Sequence, residues 1–287
     1  MSMINKIIKK YINESDKIIN DIGEIGLVNT SFSNTLTYAN SEKYAKEANL
    51  NDNIVTVITN EKLRHFINKN VILDSDPEWL FWTLYNESAV YKNQALEFSS
   101  KIDGSVKIHK SSFIDDKGVV IGKNTIIEPN VVIYSGAEIG DNCHVRSGSV
   151  ISFDGFEKKR TSRGIIDVIH DGKVIIDNDV EVGTHNSIAK GFSWKNTVLN
   201  SGLRTDSQVH VGHGVQVGIN CTITACAEIS GSSIIGDNCW LAPNCSITNS
   251  VTIGNNVFVG IGAVVTKSFP DNCVIAGYPA KIIKKNN

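Results

Sequence analysis

The sequence predicts a mainly β protein, a parallel β-helix of six-residue units behind a small α/β module. Three observations carry that expectation. First, aliphatic residues recur at every sixth position from Val211 through Val217, Ile223, Ile229, Ile235, Leu241, Ile247, Ile253 and Val259 to Val265. An upstream block, Ile121, Ile127, Ile133, Ile139, Val145 and Ile151, keeps the same period. Second, the residue two before each is small or β-branched, as at Val209, Val215, Cys221, Ala227, Ser233, Cys239 and Cys245. Side chains two apart in a strand share a face, so each unit turns one small and one larger side chain inward. Third, residues 1–100 lack the period. A fixed short period of this kind marks a stacked coil.

In the front segment, Ile4, Ile7, Ile8, Tyr11 and Ile12 follow a helical spacing. The runs IVTVI (54–58) and NVILD (70–74) read as short buried strands. Asp76-Pro77 reads as the cap and first residue of a helix running through WLFWTLY. The domain expectation is therefore 1–100 for an α/β module, 101–270 for the coil and 271–287 for a tail.

Two breaks interrupt the coil. The period lapses between Ile151 and Ile176, across the polar and basic SFDGFEKKRTSRG (152–164). It lapses again between Ile188 and Leu199, across AKGFSWKNTV. Loops ejected from a rigid scaffold are where binding residues tend to sit.

Charge is nearly balanced, with Lys+Arg 28 against Asp+Glu 30, which excludes general nucleic-acid binding. No apolar run approaches the roughly 20 residues needed to span a bilayer, and a cytoplasmic location is expected. The six cysteines include no CxxC pair, so no metal site is expected. Cys143, Cys221, Cys239 and Cys245 fall on the small inward position and read as wall residues.

The aliphatic-Gly repeat resembles the hexapeptide acyltransferase superfamily over roughly 101–270. That resemblance implies a left-handed coil, three units per turn, and a homotrimer. With a turn of three six-residue units, His213 plus 18 is Gly231, one strand spacing of about 4.8 Å away. A histidine suits the general base of an acyl transfer. A glycine N–H is open to an oxyanion. His210 plus 18 is Glu228, which offers no such complement.

GLRTDSQVHVGHGVQVG followed by ISGSSIIG resembles the catalytic stretch of the UDP-3-O-acylglucosamine N-acyltransferases of lipid A synthesis. The resemblance makes His213 the base and Gly231 the oxyanion donor. It also matches Asp206, counted with the catalytic residues, and DGF (154–156) and KVIIDNDVEVG (173–183) to that family. Two positions depart from it, Gly214 for an asparagine and Ser250 for a histidine. In the front domain, LTYANSEKYAKEA (36–48) resembles the family's uracil-binding segment. Tyr38 and Tyr44 take its two aromatic places and Ser41 its amide place.

The tail, VGIGAVVTKSFPDNCVIAGYPAKIIKK (259–285), instead resembles acetyl-CoA-dependent hexapeptide transferases of amino sugars. That likeness implies an acyl-CoA co-substrate and no other cofactor, with Ala242, Gly260, Lys267 and Lys281 against the coenzyme. The leading expectation is thus an N-acyltransferase moving a short acyl group from acyl-CoA to the amine of a UDP- or dTDP-linked amino sugar for surface glycan or O-antigen synthesis. The alternatives are a UDP-3-O-acylglucosamine N-acyltransferase using acyl carrier protein, and a non-catalytic trimeric binding scaffold.

Overall fold

The structure is a computed structural model that describes residues 3–12 and 22–285. The chain divides into two compact units, Met1–Ala95 with Phe156–Asp171, and Leu96–Gly155 with Gly172–Asn287.

The first unit is built on four parallel strands in chain order, Glu24–Ile25, Thr35–Tyr38, Ile54–Thr59 and Asn70–Leu73. Helix Glu42–Leu50 returns the chain between the second and third, and helix Pro77–Asn93 follows the fourth. Asp76 caps the latter by accepting the Trp79 N–H at 3.0 Å, with proline in its first turn. Leu80, Phe81, Trp82, Leu84 and Tyr85 are all buried. Helix Met3–Tyr11 buries Ile7 and Ile8, as its spacing predicts.

The excursion after Ile151 folds as an antiparallel hairpin, Lys158–Thr161 with Gly164–Asp167. It groups with the first unit, whereas the sequence expectation placed it inside 101–270. Two carboxylates explain the attachment. The Asp76 carboxylate accepts the Ser162 hydroxyl and, at 2.7 Å, its N–H. The buried Asp171 carboxylate takes the Tyr85 hydroxyl and sits 3.4 Å from the Lys92 ammonium. A buried carboxylate without such partners would be strongly unfavourable.

The second unit is a left-handed parallel β-helix. Its three faces hold 8, 8 and 10 strands. The chain visits them in turn: His210–Val211, Gln216–Val217, Thr222–Ile223, then Glu228–Ile229 back beside the first. His210 pairs with Glu228, Gln216 with Ile234 and Thr222 with Trp240, so each uninterrupted turn takes eighteen residues. Val211, Ile229, Ile247 and Val265 stack as one buried ladder. Val209, Ala227, Cys245 and Ala263 stack beside it as the small one.

The corners follow a second period. Gln208, Gly214, Asn220, Cys226, Ser232 and Asn238 all have left-handed φ, and the series continues to Gly262. Asparagine and glycine carry that conformation at least cost, which accounts for their recurrence at these positions. Beyond the last corners, Cys273–Ala276 continues the third face beside Phe258–Val259. Lys281–Lys285 then runs back antiparallel to it. Residues 271–287, expected as a separate tail, therefore join the coil as far as they are described.

Candidate active site

The corner between the first and second faces holds Gly212, His213 and Gly214. Each flanking glycine has its own reason. A Cβ on Gly212 would lie 2.7 Å from the Gly231 nitrogen. Gly214 adopts φ +66 and donates its N–H to the Thr197 hydroxyl at 2.8 Å. His213 is held between them, half-buried, with its carbonyl accepting the Ser232 N–H at 2.8 Å.

The imidazole lies directly on Gly231. A Cβ there would stand 2.4 Å from both Cε1 and Nε2 of His213. The buried Phe192 ring packs against the imidazole, centroid to centroid 4.9 Å. Its loop, between strands Ser187–Lys190 and Thr197–Leu199, is the second break in the period.

The Gly231 N–H differs from its counterparts at the next corner. There the side chain one turn on takes the equivalent N–H. Ile219 donates to Asp237 at 2.9 Å, Asp237 to Asn255 at 2.8 Å, and Asn255 to Asp271 at 2.8 Å. The residue one turn beyond Gly231 is Asn249. Among the described residues no group accepts the Gly231 N–H. A donor beneath an imidazole and without an internal partner is the arrangement acyl transfer requires.

His210 sits on the outer side of the first face, beside Glu228. Ser187 Oγ is 2.8 Å from its Nδ1. Burial holds its imidazole below the ordinary histidine value, against the pull of Glu228 and with the help of His213. Asp206 is exposed at the preceding corner, a full face away from the corner of His213, and its carboxylate accepts the Ser207 N–H at 2.7 Å.

In the first unit, Tyr38 ends its strand and stacks on Phe81, centroids 4.6 Å apart. Its hydroxyl donates to Glu78 at 3.3 Å, and burial raises its pKa. Tyr44 is exposed in the first turn of helix Glu42–Leu50. Ser41 caps that helix, accepting the Tyr44 N–H at 3.4 Å. Serine at the amide place thus has a local structural cause.

Ala242 and Gly260 stack with Ala276 at the third corner, where a Cβ on Gly260 would meet the Ala276 Cβ at 2.8 Å. Lys281 pairs with Ala276 across the final hairpin and is exposed. Lys267 lies apart from them, its Nζ 5.9 Å from the Phe269 ring centroid. Phe192 and Lys195 escaped the sequence reading because they lie where the period lapses. The signal was present, since Lys195 is His213 minus 18.

The description "Bacterial transferase hexapeptide (six repeats)" matches residues 118–152 and 232–267. Over those stretches the chain carries hexapeptide repeats. It is similar to the UDP-3-O-acylglucosamine N-acyltransferase of Caulobacter vibrioides, 42% identical over 149 residues, which cover 52% of this chain and 44% of that one. The Hahella chejuensis enzyme of the same name is 38% identical over 108 residues, covering 38% and 31%. The hexapeptide-repeat chain thus spans less than half the length of these curated relatives. A UDP-N-acetylglucosamine acyltransferase structure from Campylobacter jejuni aligns at 21% identity and TM-score 0.47, covering 64% of this chain and 75% of its own.

These relatives overturn the leading expectation of an acyl-CoA-dependent O-antigen enzyme. They are named for N-acylation of UDP-3-O-acylglucosamine, the first alternative above. Local geometry explains what misled. Gly214 is a left-handed corner residue, φ +66, where glycine and asparagine both suit the backbone. The tail folds as the coil's closing hairpin, so its likeness reports how the coil ends rather than which donor it uses.

Proposed function

We propose that this chain is a sugar N-acyltransferase of the UDP-3-O-acylglucosamine type, working on an acyl thioester of acyl carrier protein. The observation that carries the reading is the His213 imidazole resting on Gly231, whose N–H has no acceptor among the described residues. The sugar amine attacks the thioester carbonyl. His213 takes a proton from that nitrogen as the C–N bond forms. The Gly231 N–H holds the oxyanion. When the C–S bond breaks, the same proton passes to the leaving thiolate. The thioester is itself the activated group, so the reading calls on no further cofactor and no metal.

Tyr44 offers an exposed ring for the nucleobase. Tyr38 has one face against Phe81, so it supports the nucleotide site as a wall rather than as half of a sandwich. The exposed Asp206 carboxylate is assigned to bound substrate. Three copies form the working trimer in this reading, and the cytoplasm, where acyl carrier protein is found, is the compartment. Among the described residues no helix is long and apolar enough to cross a membrane.

The test incubates purified protein with UDP-3-O-(3-hydroxyacyl)-glucosamine and hydroxyacyl carrier protein and reads the diacyl product by mass spectrometry. Product is expected. His213→Ala should slow turnover by about 10²- to 10⁴-fold, the usual worth of a general base. No product from the wild type, or full turnover from His213→Ala, overturns the reading.

A further inference from the structure

Lys195 stands out among the coil's half-buried lysines. Lys173 pairs with Glu138 at 2.5 Å and Lys190 with Asp154 at 3.0 Å. Lys195 is half-buried too, yet among the described residues no carboxylate or carbonyl takes its ammonium. Its Nζ lies 5.5 Å from the ring centroid of the adjacent Trp194. Burial lowers its pKa, so the charge is partly stripped of water and left without a counter-ion.

The loop holds it firmly. A Cβ on Gly191 would collide with the Lys195 carbonyl at 1.9 Å, and one on Gly172 would meet the same oxygen at 2.7 Å. Only glycine fits these two approaches. Next door, Asn196 Oδ1 accepts the Lys173 N–H at 2.9 Å, and its carbonyl accepts the Gln216 amide at 2.6 Å. The Lys195 stem runs beside Gly214, with its Cβ and Cδ 3.5 and 3.7 Å from where a Gly214 Cβ would be. The ammonium is therefore anchored at the corner that carries His213.

The geometry points to Lys195 as the anchor for the anomeric phosphate of the sugar nucleotide, fixing the amine next to the anomeric carbon at His213. The inference rests on the acyl-transfer reading and names what selects its acceptor. In a 2-amino sugar nucleotide only C2, C1 and the anomeric oxygen separate the amine nitrogen from the first phosphorus. A cation and a base at one corner can engage both at once. In a 4-amino sugar the amine lies across the ring from the phosphate, and the two sites cannot be filled together as easily. Lysine serves phosphate as a point charge, which needs no bidentate geometry.

The test uses full-length wild type, Lys195→Met and Lys195→Arg. Kinetic constants are measured for the UDP-linked 2-amino sugar and for the acyl donor, and UDP affinity is measured by calorimetry. Lys195→Met should raise the sugar KM and weaken UDP binding by about ten- to a hundredfold, the range of a charge-assisted hydrogen bond. Donor KM and kcat should stay within about twofold, and Lys195→Arg should restore most of the affinity, because the charge is kept. Unchanged sugar KM and UDP affinity would overturn the proposal. So would a loss confined to donor KM, which would place the donor's phosphate there. A loss confined to kcat with a displaced pH profile would also overturn it, making Lys195 a modulator of the base. A drop in melting temperature shared by both variants would make its role structural. Because UDP binding needs no turnover, weakened binding alongside an inactive wild type would sink the acyl-transfer reading and leave the phosphate anchor standing.

Discussion

Gly231→Ala isolates the contact between base and oxyanion donor. The new methyl carbon would land 2.4 Å from Cε1 and Nε2 of His213 and 2.9 Å from Cδ2. Ordinary contact begins near 3.4 Å, so the imidazole must withdraw by roughly an ångström. The φ of Gly231 lies outside the left-handed region, so alanine brings no backbone strain. A displacement of about 1 Å at a reacting centre is worth on the order of a hundredfold in rate. The interior ladder is untouched, because Ile229 and Ser233 carry the inward positions of that turn. The expected result is a kcat about a hundredfold lower, with a melting temperature within a few degrees of wild type, in keeping with a change outside the core. Initial rates of thiol release at saturating substrates, paired with a thermal melt, would measure both. Wild-type turnover in Gly231→Ala would refute the placement of the ring on the glycine.

Gly214→Asn should be nearly silent in the same assay. Asparagine tolerates φ +66, and the nearest atoms to its Cβ, Lys195 Cβ and Ser232 Oγ, lie at 3.5 and 3.6 Å. A large loss of activity or stability would contradict the conformational account of that corner. His210 should titrate below its ordinary value of about 6.5 when followed by NMR. Its folded form favours the neutral ring, so the stability it contributes is present above the ordinary value and is lost as pH falls through the depressed one. His210→Gln should flatten that acid limb, and a midpoint above the ordinary value would refute the reading. In native protein, Cys226 should react with a thiol reagent ahead of the others. It is exposed at a corner, whereas burial raises the Cys245 thiol to about 12, and the hydrogen bond with Cys221, with burial behind it, raises that of Cys239. Rapid labelling of Cys245 before unfolding would show that the wall opens.

The coil was legible because its rules are local and repeat. Every sixth residue must fill the interior, so ten consecutive aliphatic positions mark the coil, and Val211, Ile229, Ile247 and Val265 stack accordingly. The pairing of His213 with Gly231 followed once the family resemblance set three units to a turn. What lay outside the count was harder to see. Lys195 was hidden because its loop adds residues to the six-residue step between Ile188 and Leu199. The attachment of Phe156–Asp171 to the first unit depends on Asp76 and Asp171, carboxylates whose partners lie some eighty residues away in sequence. Ser41 read as a changed ligand because an N-cap and a base-reading side chain leave the same kind of polar residue at a helix start. The tail misdirected the choice of donor because a fold's closing element is shared among enzymes with different chemistry.

The reversed strand Lys281–Lys285 has a bearing on how molecules meet one another. A stack of parallel strands ends in a row of unsatisfied amides and carbonyls that would welcome another copy and could lengthen into a fibre. A strand laid in the opposite sense, carrying Lys281, Lys284 and Lys285, offers the wrong polarity for continued winding and a repulsive charge to any newcomer. On the third face it covers the edge with a strand that a parallel ladder cannot continue.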